Sequence, residues 1–334
     1  MIDMTDATDA PEATEVSDVT EAAEAANVTG MTDVTDVLRY TAFAATPAGG
    51  NPAGVVLDAS GLSDDAMLAI AADVGYSESA FVTPAPGTGS ADDRNGHGHG
   101  KGESDSQRTY SLRYFSPKAE VSFCGHATVA TAVALAERQG TGEFVFHTAA
   151  GVVPVSVDDA EGVLRATLTS VEPTIEDVRA EDLAEALAAL DWPAADLDPS
   201  LPPRIAYAGA RHLVLAAATR QRLADLSYDF ERLASLMHRL DLTTVQLVWR
   251  EPESGGTTFH VRDPFPVGGV VEDPATGAAA AAFGAYLREL GQVPAAARLT
   301  LHQGDDMGRP GELTVTLREG DARVRVSGAA VPIP

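Results

Sequence analysis

The chain has 334 residues, is 45% hydrophobic and 22% charged, and carries a formal net charge of −26. A long enough chain for a substantial core, with that acidity and no basic stripe, argues against binding a phosphate backbone. No apolar run is long enough to span a bilayer, no basic-then-apolar leader opens the chain, and its single cysteine excludes an internal disulfide or a cysteine-based structural zinc site, so cytoplasm is the default compartment.

Residues 1–36 hold ten Asp or Glu and no Lys or Arg, with acids at every third position from Asp3 to Glu24. A period of three does not make one helix face, and few large apolar residues are present to offset ordering entropy. A disordered acidic tail is therefore expected over 1–36, with Met31 as a second plausible start. Order begins near Val37, where V-L-R-Y-T-A-F-A alternates as a strand does. G-G-N-P-A-G-V-V-L-D reads as a turn around Asn51 and Pro52 feeding a buried strand. Ser63 is a candidate N-cap, Asp64 and Asp65 suit a first turn, apolar residues recur at Met67, Ile70, Ala71 and Val74, and Gly75 suits a C-cap, which predicts an amphipathic helix. Y-S-E-S-A-F-V-T returns as a strand. Residues 84–109 are rich in Gly, Ser, Asp and His and read as a flexible loop insertion. Its His97 and His99 are two ligands where a metal site needs three or four, so a solvated insertion is the better reading.

Next comes E-V-S-F-C-G-H-A-T-V-A-T-A at 120–132, a short strand running into Cys124, Gly125 and His126 and then into very small residues. Strands are predicted at 143–148, 152–157 and 163–169, and an amphipathic helix at about 178–190. Three stretches then recur in order: 50–57 at 209–215, 125–135 at 277–287, and 144–151 at 299–306. Their nearly common offset suggests an internal duplication with a period too long for a solenoid. Domains are expected at 37–170 and 171–325, with 326–334 returning to the first. The two Ala/Gly-rich helices have no polar face, so each should be buried on all sides inside a curved sheet. Both start at a glycine, Gly125 and Gly277. A helix start presents unpaired N–H groups and about half a positive charge, and glycine lets a ligand approach them, so two such starts facing one cleft would seat a carboxylate. Packing alone also accounts for the alanines.

In this order and spacing, G-N-P-A-G-V, Y-S-E-S-A-F-V, F-C-G-H-A-T and V-E-D-P-A-T-G-A resemble the phenazine-biosynthesis PhzF-like family over about residues 37–334. The resemblance implies an α+β, diaminopimelate epimerase-like fold of two pseudo-symmetric domains, each a curved sheet wrapped around a central helix. It implies, commonly, a homodimer, and cofactor-independent isomerisation by proton transfer. The expected partner is a small anionic metabolite, with no metal, and charge and hydropathy argue against nucleic acid or a membrane. The best-known member isomerises a dihydro-hydroxyanthranilate. The family's acid/base glutamate falls on Glu78, its histidine on His126 and its aspartate on Asp273, and Ala278 stands where a serine is frequent. Asn51, Gly125, Gly277 and Ala278 are the candidate substrate contacts.

A carboxyl shielded from water, as Glu78 would be in an apolar cleft, can take a proton from one carbon and return it to another. His126 is a candidate hydrogen-bond partner for substrate or a packed histidine. Asp273 is a candidate acceptor or an N-cap before Pro274, and Glu272 an outlying charge. Cys124 invites a nucleophilic reading beside His126, but two residues so close in sequence are expected to diverge, and racemisation by two thiols lacks its second cysteine. A buried thiol is the better reading. The alternatives to a one-base isomerase are an epimerase using Glu78 and Asp273 as opposing bases and a non-catalytic binder of small anions.

Overall fold

The computed structural model describes residues 36–85 and 108–334. The expectations for the acidic tail and for the loop with His97 and His99 lie almost wholly outside these residues. At the loop's margins, Pro84, Arg108 and Thr109 belong to strands. The described residues form one compact unit.

Strands β1 (Leu38–Ala42) and β2 (Asn51–Val56) pair antiparallel. Helix α1 (Asp64–Val74) begins where the Ser63 hydroxyl accepts the Ala66 N–H, and it ends at Gly75 in the left-handed region, φ 72°. Strand β3 (Glu78–Pro84) lies parallel to β2 and antiparallel to β4 (Arg108–Phe115), which folds onto the short β5 (Glu120–Val121). Helix α2 (Gly125–Gln139) leads to β6 (Gly142–Thr148), parallel to β4, and then to the antiparallel β7 (Gly151–Ala160) and β8 (Val163–Thr169).

After β9 (Thr174–Asp177) and α3 (Ala180–Leu190), the same pattern repeats. Strands β10 (Arg204–Tyr207) and β11 (Arg211–Ala216) pair antiparallel, and the helices α4 (Arg220–Ala224) and α5 (Phe230–Leu240) precede β12 (Thr244–Arg250), parallel to β11. Strand β13 (Thr258–Pro264) is antiparallel to β12 and to the short β14 (Glu272–Asp273). Helix α6 (Gly277–Glu289) leads to β15 (Ala297–Gln303), parallel to β13, and then to the antiparallel β16 (Gly311–Arg318) and β17 (Asp321–Pro332). The sense of every pairing from β1 to β8 therefore recurs from β10 to β17, which is the duplication expected from the echoes. Strand β17 also pairs with β8 through Arg325–Ala329 and with β1 through Ala330–Pro332, so it joins the two sheets.

Small residues decide how the centre packs. Every α2 residue from His126 to Ala136 is buried, as are Gly277 and Ala279–Leu287 of α6. Methyl-sized side chains let the surrounding strands close on both helices, and the bulk is supplied from the sheets by Phe144, Phe146, Phe259 and Tyr114. Alternation along the strands sorts the second half into two layers. Val214, Ala216 and Val248 face the α6 core, whereas Leu213, Leu215, Val245 and Leu247 face α3 and α5.

Phe43 locks the place where the halves meet. Its backbone is in the left-handed region at φ 63°, held by a bond from its N–H to the Ala329 carbonyl and by the Glu312 N–H on its own carbonyl. A Cβ on Gly328 would come within 2.2 Å of its ring, and one on Gly277, at the start of α6, within 3.2 Å. Gly328→Ala is thus expected to displace the Phe43 ring and to lower stability by about 1–2 kcal/mol, read as a lower urea midpoint at unchanged m-value. An unchanged midpoint would mean that the ring has slack.

Candidate active site

The two central helices begin without a side-chain cap. Cys124 precedes α2 and Thr276 precedes α6, and neither makes the usual bond to the first-turn amides. Those N–H groups stay available to an anion. A Cβ on Gly125 would meet only the edge of the Phe123 ring, at 3.9 Å, so the backbone there is open to close approach.

Glu78 stands at the first position of β3, paired in register with Ala53 of β2, and its side chain keeps 16% exposure. Its Oε2 lies 3.5 Å from His126 Nε2 and 3.7 Å from Cys124 Sγ. His126 is buried at the second position of α2. Cys124 Sγ is 3.3 Å from His126 Nδ1, so the expected divergence of these side chains does not occur. The cause is local geometry. Cys124 is extended (φ −145°, ψ 114°), and a residue in that position turns its side chain back over the first helical turn, where the second helical residue also sits. The thiol itself is buried, and that burial, followed by the charge of Glu78, pushes its pKa well up, which disfavours a thiolate nucleophile.

Asp273 faces this group from the other half. It is buried, and both carboxylate oxygens are engaged: Asn51 Nδ2 donates to Oδ1 at 2.8 Å and the Thr276 hydroxyl to Oδ2 at 2.6 Å. Burial raises its pKa, with nearby His126 opposing and nearby Glu78 adding to the rise. Asp273 is not the N-cap of α6, since it lies in β14 and Thr276 holds the cap position. Asn51 directs its amide across 222 residues of sequence to Asp273 and to the Ala275 carbonyl at 3.1 Å, so it positions the opposite half of the site. Ala278 is half-buried at the second position of α6 and offers only a methyl group.

Several contributors were not singled out from sequence. Gln303, the last residue of β15, donates to the Asp273 carbonyl and accepts from the Thr276 N–H, fixing the approach to α6. Arg262 of β13 grips Glu272 of β14 through two bonds of 2.9 and 2.5 Å in a buried pair. Arg113 of β4 grips Glu120 of β5 through two bonds of 2.7 Å. Each fork clamps the strand pair that delivers a helix start. The signal was present as a fourth echo, an arginine followed by a glutamate shortly before Cys124-Gly125 and before Thr276-Gly277.

Behind Asp273 lies a buried polar cluster. His212 Nδ1 is 2.8 Å from the Thr244 hydroxyl, which is 2.7 Å from Asp263 Oδ1. Asp263 is fully buried and stands opposite Asp273 in the β13–β14 register. Burial raises its pKa strongly, and burial lowers that of His212 to about 3.

A model of the phenazine biosynthesis-like protein family matches residues 40–334. The chain is 29% identical over 302 residues to the uncharacterized isomerase YfhB of Bacillus subtilis, covering 88% of this chain and 95% of that one. It is 29% identical over 296 residues to the trans-2,3-dihydro-3-hydroxyanthranilate isomerase of Pseudomonas chlororaphis, covering 87% and 94%. A crystal structure of a PhzF-family phenazine biosynthesis protein from Bacillus anthracis superposes with a TM-score of 0.75 at 26% identity, over 89% of this chain and 96% of that one. A probable proline racemase from Agrobacterium radiobacter, at a TM-score of 0.56 and 12% identity over 88% and 90%, shares the fold alone. No helix among the described residues is long and apolar enough to cross a membrane.

Proposed function

The chain belongs to the phenazine biosynthesis-like family and is an isomerase of that family, and from this premise we propose that it moves a proton within a small carboxylate-bearing metabolite, using Glu78 as the single acid/base. The observation that carries the reading is the meeting of three groups at two uncapped helix starts: the Glu78 carboxyl, the His126 ring and the Asp273 carboxyl.

The substrate carboxylate sits on the free N–H groups that follow Cys124 and Thr276, where the helix dipoles favour negative charge. Glu78 then faces a carbon whose C–H is made acidic by conjugation with that carboxylate. Its Oε2 takes the proton, the electron pair left behind shifts along the double bond, and the same oxygen returns the proton to the far carbon. One C–H bond breaks and one forms, so no redox partner is needed. His126 and Asp273 hydrogen-bond polar substituents and hold the ligand flat. Both Asp273 oxygens are fixed by Asn51 and Thr276, which favours a holding role over the mobile opposing base of an epimerase.

A thermal-shift screen of small carboxylates tests the seat. It should include trans-2,3-dihydro-3-hydroxyanthranilate, the compound in the relative's name. Carboxylates should raise Tm while their amides and methyl esters do not. Equal shifts from charged and neutral analogues would remove the anion seat from the account.

A further inference from the structure

Asn51 donates to the other half of the molecule twice from one nitrogen, to Asp273 Oδ1 and to the Ala275 carbonyl. Where that amide points depends on the backbone just before it, and a distant segment holds that backbone. Between β15 and β16 the chain passes through Gly304, a 3₁₀ turn at Asp305–Met307, Arg309 and Pro310. Arg309 Nε donates to the Gly50 carbonyl and its Nη2 to the Gly49 carbonyl, each at 2.9 Å. The Gly50 N–H donates to the Pro310 carbonyl at 3.1 Å. A Cβ on Gly49 would lie 2.2 Å from that same carbonyl oxygen, so the two backbones meet directly.

The same segment also holds Asp273. Gln303, which opens it, bonds the Asp273 carbonyl and the Thr276 N–H. A Cβ on Gly304 would lie 2.9 Å from the Pro274 carbonyl oxygen. The Arg309 N–H closes the turn onto the Gly304 carbonyl at 3.0 Å. One short turn therefore carries Asp273 at its start and the approach to Asn51 at its end. A planar guanidinium fork on two successive carbonyls fixes that approach in direction as well as distance.

We propose that Arg309 is a positioning residue for the reaction: by gripping Gly49 and Gly50 it aims the Asn51 amide at Asp273 and so fixes the carboxyl that meets substrate. Without the fork the Gly49–Gly50 turn loosens, and Asp273 Oδ1 loses its steady donor. The consequence for turnover rests on the proposed role of Asp273, whereas the aiming of Asn51 does not.

Side-chain amide exchange reads the aim directly. The chain has three asparagines, Asn27, Asn51 and Asn95, so ¹⁵N-asparagine labelling of the full chain gives three side-chain NH₂ pairs. Asn51→Ser identifies the pair that belongs to Asn51. In the wild type that pair should exchange slowly with solvent, because it is buried and bonded. Arg309→Met keeps the apolar stem, removes every donor and should speed the exchange about tenfold or more. Arg309→Lys keeps the charge without the fork and should fall between the two, and it carries the test if Arg309→Met does not fold. An Asn51 pair that stays as slow in the folded variant as in the wild type overturns the proposal, whatever happens to Tm.

Deuterium incorporation from D₂O into trans-2,3-dihydro-3-hydroxyanthranilate gives the second reading. Arg309→Met should slow it about 30-fold or more in the wild-type background and less than about threefold in the Asn51→Ser background, because the arginine acts through Asn51. Losses that multiply would overturn that route. A wild-type chain that binds this compound and incorporates nothing contradicts the proposed function, and the amide exchange still decides the role of Arg309.

Discussion

Glu78→Gln is expected to cut turnover by about 10³-fold or more while changing ligand affinity by less than about threefold. Glutamine keeps the volume of the side chain and an acceptor oxygen, so the contacts around Cys124 and His126 persist. What it loses is the capacity to carry a proton. The anion seat lies on the backbone of α2 and α6 rather than on β3, so the carboxylate should bind as before. Rate and affinity therefore come apart in this variant. A non-catalytic binder predicts no effect at all, and a glutamate that merely shapes the pocket predicts that affinity falls with the rate. Single-turnover rates with calorimetric affinities for the wild type and the variant distinguish the three.

The second large effect concerns acid stability. His212 has a pKa lowered to about 3 by burial against an ordinary 6.5, and Asp263 has one raised well above its ordinary 3.8, by burial first and then by Asp273 and Glu272, with Thr244 and Thr276 opposing. Below the histidine's ordinary pKa of 6.5 the unfolded chain protonates His212 while the folded chain keeps it neutral, and in acid the folded chain holds a proton on Asp263 that the unfolded chain has lost, so the two offset each other. Asp263→Asn removes the offset. The folded variant then binds none of these protons and the unfolded variant binds one on His212. The histidine alone makes stability fall by about 1.4 kcal/mol per unit of acidification below pH 6.5, and the variant's profile is steeper in acid than that of the wild type. His212→Asn inverts the sign, since Asp263 alone takes up a proton on folding and stability rises as pH falls toward 4. Urea melts of the three proteins at pH 6.5, 5.5 and 4.5 check this. Parallel pH profiles would mean that the pair is not carrying the proton as described.

Much of this was legible in the sequence because the relevant patterns are local. The caps of α1 are single residues with direct backbone consequences, and the apolar helices beginning at Gly125 and Gly277 announce burial by lacking a polar face. Motif order placed Glu78, His126 and Asp273 at strand and helix starts that the fold brings together. Other features depend on distance in sequence. Asn51 reaches Asp273 only because β2 runs alongside the tip of the other half, and neither residue type nor spacing records that. His212, Thr244 and Asp263 share a face through one parallel and one antiparallel pairing whose registers no local pattern encodes. Cys124 is the buried thiol expected, but its divergence from His126 does not occur, because the residue sits outside the helix in an extended conformation that two residues of separation do not reveal. The Arg113–Glu120 and Arg262–Glu272 forks were within reach of the duplication argument, because they occupy matching places before the two helices, but the echo is in charge rather than in sequence letters.

The central claim is that Glu78 moves hydrogen between carbons of a bound carboxylate. The most direct measurement follows every carbon-bound hydrogen of that ligand by ¹H and ²H NMR in D₂O with the wild-type chain at saturation. The account predicts that one C–H signal disappears and that hydrogen or deuterium arrives at a second carbon, and that neither happens with Glu78→Gln. A saturated ligand whose C–H signals all stay in place with the wild-type chain would contradict it.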